Sequence, residues 1–248
     1  MPMQERRFQG VGPGGRPTLT LDGYQAPNGM VFKDAYGYRL YDTVRVKGGV
    51  AIPTSPFNFF TIPNGQQTAG LNFAATYIKS DIDTNGEAAG QIPKGQFFDI
   101  HSMQIRIIET GAKDTSYGSS GAGTELPTDA TPLSAVSASN ESKMILEASF
   151  YTFHVGNKDY ESGKGLHFPS PYGISGFAGG PIQGESDNVD VVAITNNGFG
   201  RPYRFPVQRS LDGLRQFKVV GSFAYPITPV ANFNIECCLE GILYRDVQ

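Results

Sequence analysis

The chain has no tryptophan, only two cysteines, no long apolar run and few charges: of 248 residues, 17% are charged. Soluble domains carry about 25% charged residues. The shortfall fits many short strands joined by uncharged Gly/Pro turns, or a surface covered by neighbouring copies. A net charge of −3 argues against a nucleic-acid-binding domain as a reading of the whole chain. No apolar run approaches the roughly 20 residues that span a bilayer. The first ten residues, MPMQERRFQG, lack the apolar core of a secretory signal, so synthesis and folding in a cytosol is expected. Cys237 and Cys238 are adjacent, and neighbouring strand residues point to opposite faces, which argues against a disulfide or a zinc site. Lack of tryptophan also weakens a lectin reading, because sugar sites lean on aromatic platforms. No window shows a capped helical period, and nothing repeats at a spacing of roughly 20–50 residues, which argues against solenoids and propellers.

What the chain does hold is strand signal, with 31 glycines and 17 prolines to turn it. Residues 215–247 predict a long hairpin. Phe217, Val219, Phe223 and Tyr225 share one parity, and Phe233, Ile235, Cys237, Leu239 and Leu243 share one parity after the turn. A period of two buries one set, with Glu236, Cys238 and Glu240 on a solvated or partner-facing side. In residues 92–108, Phe98 and Ile100 lie on one parity and Met103, Ile105 and Ile107 on the other, so burying both requires a β-bulge near His101. Residues 56–65, 70–78, 143–156 and 188–195 predict further strands, about eight in all with several short ones. Residues 110–142 and 157–186 read as long loops, and residues 1–17 as a flexible arm carrying Arg6, Arg7 and Arg16. The expected domain is 18–248.

Motifs of chemistry are sparse. His101, His154 and His167 are isolated, without the H-x-H of a cupin or the H-E-x-x-H of a zincin. Asp81, Asp83 and Asn85 with Gly86 have the opening spacing of a calcium loop, but Ile92 stands where the bidentate glutamate belongs. Gly173–Phe177 has the wrong spacing for a nucleophile elbow. Gly10–Gly15 lacks the Lys-Ser/Thr of a phosphate loop. Glu147, Glu236 and Glu240 read as the solvated or interface side of their strands. The expectation is no enzyme, no metal and no cofactor.

Three stretches carry a resemblance: FFTIPNGQQTAGLNF, AGQIPKGQFFDIHSMQIRI and FAYPITPVANFNIECCLEGILYRDVQ. With them the chain resembles the jelly-roll major capsid proteins of tailless icosahedral bacteriophages, a kind that often encloses an internal membrane. The resemblance implies an all-β antiparallel jelly-roll sandwich, a single roll with long insertions, with a compact double roll as the alternative. It implies a structural virion protein, made in the host cytoplasm, whose identical copies form trimers or pentamers within a shell beside other virion proteins. It makes the arm, with Arg6, Arg7, Phe8 and Arg16, a contact to a neighbour, a membrane or the packaged genome. The rival reading is a receptor- or carbohydrate-binding spike head, with Asp34–Tyr41 or YGISGF as its aromatic cluster. An enzyme on the same scaffold comes third.

Overall fold

The computed structural model describes residues 18–19, 23–109, 144–170, 177–181, 190–194, 202–229 and 232–246. Eight strands build two four-stranded sheets. The first sheet runs β13 (Tyr203–Asp212), β8 (Gln96–Glu109), β15 (Phe233–Arg245), β4 (Asp34–Val46). The second runs β10 (Lys158–Lys164), β9 (Ser149–Val155), β14 (Phe217–Phe223), β5 (Phe57–Phe59). Every ladder is antiparallel. Counted along the chain, the first of the eight pairs with the eighth (β4 with β15), the second with the seventh (β5 with β14), the third with the sixth (β8 with β13) and the fourth with the fifth (β9 with β10). The ladders β15–β8 and β14–β9 join these nested pairs into sheets.

One core lies between the layers. Phe59, Tyr151, Phe153 and Val219 come from the second sheet, and Ile100, Ile105, Ile235 and Leu239 from the first. Strict alternation in β14 buries Phe217, Val219 and Phe223. Fully burying a side chain of this size is worth about 1.5–3 kcal/mol, so these contacts set the register. A second, smaller cluster forms where Phe32 packs on Phe97, Ile242 and Tyr244, on the opposite face of the first sheet. Phe32 belongs to a small sheet of β1 (Thr18–Leu19), β2 (Tyr24–Gln25) and β3 (Val31–Phe32). The remaining described strands form two-stranded sheets, β6 (Gln67–Ala69) with β7 (Thr76–Ile78) and β11 (Phe177–Pro181) with β12 (Asp190–Ile194).

The bulge is where the parity change requires it. Glu240 of β15 faces Ser102 and Gly241 faces Ile100, so His101 is the extra residue. Phe98, Ile100, Met103, Ile105 and Ile107 are all buried as a result.

Residues 215–247 are not a hairpin. β14 pairs with β9 and β5, while β15 pairs with β8 and β4, and 224–232 carries the chain from one layer to the other. Both strands alternate because each faces the same core from opposite sides. Tyr225, expected inside, falls beyond β14 and is 51% exposed. Three other boundaries differ from expectation. Residues 144–148 form one helical turn ahead of β9, with Ile145 and Ala148 buried. The stretch 157–186 contains β10, a 3-10 turn at Gly165–His167 and β11. The strand expected within 188–195 is β12, which pairs with β11 outside the eight-stranded arrangement. The arm (1–17) and the loop 110–142 lie outside the described residues.

Candidate functional site

Antiparallel pairing sorts the connections between the eight strands to two ends. The connections that leave the scaffold after Val46, Glu109, Lys164 and Phe223 all do so, and return, at one end. The other holds 60–95, the tight turn 156–157, the turn 213–216, the start of β4 and the finish of β15. The two longest insertions leave and re-enter the scaffold at the same end, a placement that suits surface-borne function on a rigid frame.

Glu236, Cys238 and Glu240 lie on the outer face of the first sheet. Glu236 is 3% exposed and pairs with Arg106 on β8 at 2.7 Å. Glu240 pairs with Arg39 on β4, both partners half-buried. Gln104 is buried and accepts a hydrogen bond from Ser170 at 3.1 Å. This face is therefore a covered, ion-paired layer rather than a solvated one. Glu147 is exposed and sits in the helical turn, not on a strand. Both cysteines are free and buried. Burial first, then the neighbouring Cys238, Asp42 and Glu236, pushes the Cys237 thiol well up. Burial likewise dominates at Cys238, outweighing Arg39. Neither thiol is a nucleophile in this setting.

The calcium-like residues have other partners. Asp83 is buried and takes Arg45 in a bidentate pair at 2.9 and 3.0 Å, while also accepting the Ser80 backbone N–H at 3.0 Å. Asp81 accepts from Asn64 and, through its carbonyl, from the Tyr41 hydroxyl. The Asn85 carbonyl oxygen accepts the Tyr41 N–H at 2.9 Å, and its amide donates to the Arg39 carbonyl at 2.7 Å. A side chain thus imitates a neighbouring strand along the open edge of β4. Asp42, on that same strand, is buried with Lys79 as its ion-pair partner and also accepts the Phe60 N–H. Burial raises the Asp42 pKa and Lys79 opposes that rise. The segment 60–90 is an edge cover held by charge, which shields β4 from further pairing.

The histidines stay apart in role. His101 contacts Asp99 at 3.1 Å beside the bulge, His154 contacts Asp159 at 2.6 Å across β9 and β10, and His167 ends the 3-10 turn. No group of three or more His, Cys, Asp or Glu side chains is placed to hold a metal among the described residues. Among those residues, too, no helix is long and apolar enough to cross a membrane. Arg6, Arg7, Phe8 and Arg16 lie outside the described residues, as does all of YGISGF except Phe177.

Of the aromatic cluster in Asp34–Tyr41, Tyr36 and Tyr38 meet edge to face at 6.0 Å and line a shallow groove with Asn85, Glu87 and Gln91. Arg245 covers the Tyr36 ring at 4.9 Å, and Tyr38 packs against Phe98 at 5.6 Å. Burial first, then neighbouring Tyr36 and Glu87, raises the Tyr38 pKa to about 12. A second cleft, beside Tyr160, Arg209 and Arg215, has no counterpart in the sequence pattern, because two facing edge strands build it. No family model, curated protein or solved structure matches this chain.

Proposed function

We propose that the two layers form a single jelly roll and that the chain is the major shell subunit of a tailless icosahedral virus. The nested pairing of first with eighth through fourth with fifth carries this reading. It is the order produced by folding one long antiparallel ribbon into two Greek keys, an architecture used for capsids. Eight strands in two sheets that share one core favour one roll over two. Low charge density supports the subunit role, since surfaces that meet identical copies need few charges. The charge-held cover on β4 supports it further, because an unshielded edge in a crowded assembly invites open-ended pairing rather than closed symmetry.

In this reading, function is assembly. The end where the chain leaves the scaffold after Val46, Glu109, Lys164 and Phe223 supplies contacts to neighbouring copies. The arm with Arg6, Arg7, Phe8 and Arg16 reaches a neighbour, a membrane or packaged genome. The protein resides in the virion after synthesis in host cytoplasm, beside other virion proteins, and needs no catalytic group or cofactor. The spike-head alternative loses ground at Tyr36 and Tyr38, whose rings are engaged by Arg245 and Phe98 instead of presenting a free sugar platform.

Light scattering coupled to size exclusion, followed by electron microscopy, tests the proposal. The expected outcome is trimers, pentamers or closed shells. A strictly monomeric protein under shell-forming salt and concentration would refute it.

A further inference from the structure

A cleft of about 340 Å³ opens between β10 and β13, the edge strands of the two layers. Both strands lose regular pairing there. Tyr160 is an extra residue in β10, because Asp159 faces His154 and Glu161 faces Phe153. On β13, residues 205–208 are interposed between Arg204 opposite Ser102 and Arg209 opposite Ile100. Irregularities of this kind re-aim side chains. Here they bring the Arg209 guanidinium over the Tyr160 ring at 4.9 Å. The acid nearest to it, Glu161, is 3.9 Å away and already accepts the Tyr203 hydroxyl at 3.2 Å. The Arg209 Nε–H is buried and has no acceptor among the described residues. A buried donor without an acceptor is unfavourable, and a bound acceptor at the guanidinium relieves that cost. Arg215 and Asp212, both exposed, stand on the rim, and Ser210 and Asn28 line the wall.

We propose that this cleft binds a small monoanionic polyol of the hexuronate class. Its carboxylate meets Arg209 and Arg215, and its hydroxyls meet Asp212, Ser210 and Asn28. Size argues for this class, because the volume is at the lower end of the roughly 300–1,000 Å³ typical of small-molecule sites. That is more than an inorganic ion fills and suits one sugar ring. Charge argues the same way. Among the lining residues, Arg209 and Arg215 stand against the single carboxylate of Asp212, an excess of one positive charge that suits a monoanion and disfavours a phosphate dianion. Planar guanidinium geometry matches a carboxylate, and Phe97 and Val155 supply an apolar wall. The proposal is independent of the shell reading.

Isothermal titration of the full chain with sodium glucuronate, glucose and inorganic phosphate tests it. Glucuronate is expected to bind saturably, with glucose and phosphate each about tenfold or more weaker, the scale of losing a charge-assisted hydrogen bond. Arg209→Gln is expected to lower glucuronate affinity by a similar factor. Arg215→Gln, on the exposed rim, is expected to do so with an unchanged circular dichroism spectrum, so the test survives if Arg209→Gln misfolds. Absence of saturable glucuronate binding by the unaltered protein, phosphate binding as tight as glucuronate, or an Arg215→Gln variant that binds like the unaltered protein each overturns the proposal.

Discussion

Lys79 and Asp42 are both almost fully buried, at 4% and 0% exposure of their side chains. Removing one charge leaves the other stranded. Lys79→Met is therefore expected to cost about 3–5 kcal/mol, while Asp42→Asn combined with Lys79→Met recovers most of that loss. The amide oxygen introduced by Asp42→Asn can still accept the Phe60 N–H, so the comparison isolates the charge. Urea unfolding of both variants checks it, and a double variant as unstable as Lys79→Met would contradict it.

The cysteines give a pH prediction at the same scale. Their folded-state pKa values are raised. Above about pH 8.5 the unfolded thiols ionise while the folded ones stay protonated. Protons are then bound more by the folded state, so stability falls as pH rises, by about 1.4 kcal/mol per pH unit for each thiol. Below that range their contribution is fully retained. Unfolding titrations between about pH 8.5 and 10, below the range where unfolded tyrosines ionise, are expected to show this slope, and Cys238→Ala to reduce it by about half. Neither thiol should react with a disulfide reagent until the protein unfolds.

Among the elements, the β8 bulge governs the first sheet. Gly241 lies where β15 meets it, and a Cβ there would sit 1.9 Å from the Asp99 carbonyl oxygen. Backbone on both sides leaves little room to yield. Gly241→Ala is expected to destabilise by about 1–3 kcal/mol, the scale of an overpacked site, whereas Gly37→Ala, with open space around its Cβ position, should have a much smaller effect. Denaturation midpoints compare the two directly. This bulge was legible from parity alone, since Phe98 and Ile107 cannot both reach the core without it. The edge strands β10 and β13 were not. β10 reads KDYESGK and β13 contains Pro206, and neither offers clean alternation. Polar residues and proline are what keep an edge from recruiting another strand, so the features that protect these elements also hide them from a pattern search.

At the scale of the whole molecule, the two longest insertions join strands at one end, and the arm bears three arginines outside the described residues. If the shell reading holds, deleting residues 1–17 leaves the circular dichroism spectrum and melting transition nearly unchanged but lowers the yield of closed particles. Full particle yield from the truncated chain would remove the arm from assembly.

Alternation, turn residues and the shortage of charge made an all-β architecture readable from the sequence by itself, along with the parity of β14 and β15 and the bulge at His101. Those are local properties, because a period of two depends only on which side of a strand meets water. Tertiary structure alone decided which strands are neighbours. It turned the expected C-terminal hairpin into a crossing between layers and set Asp83 and Asn85, which share only the opening spacing of a calcium loop, as a clamp on β4. It also brought Tyr160 and Arg209 together across a gap. Periodicity reports burial but not partner, and a charged side chain carries no mark of the distant residue that will neutralise it.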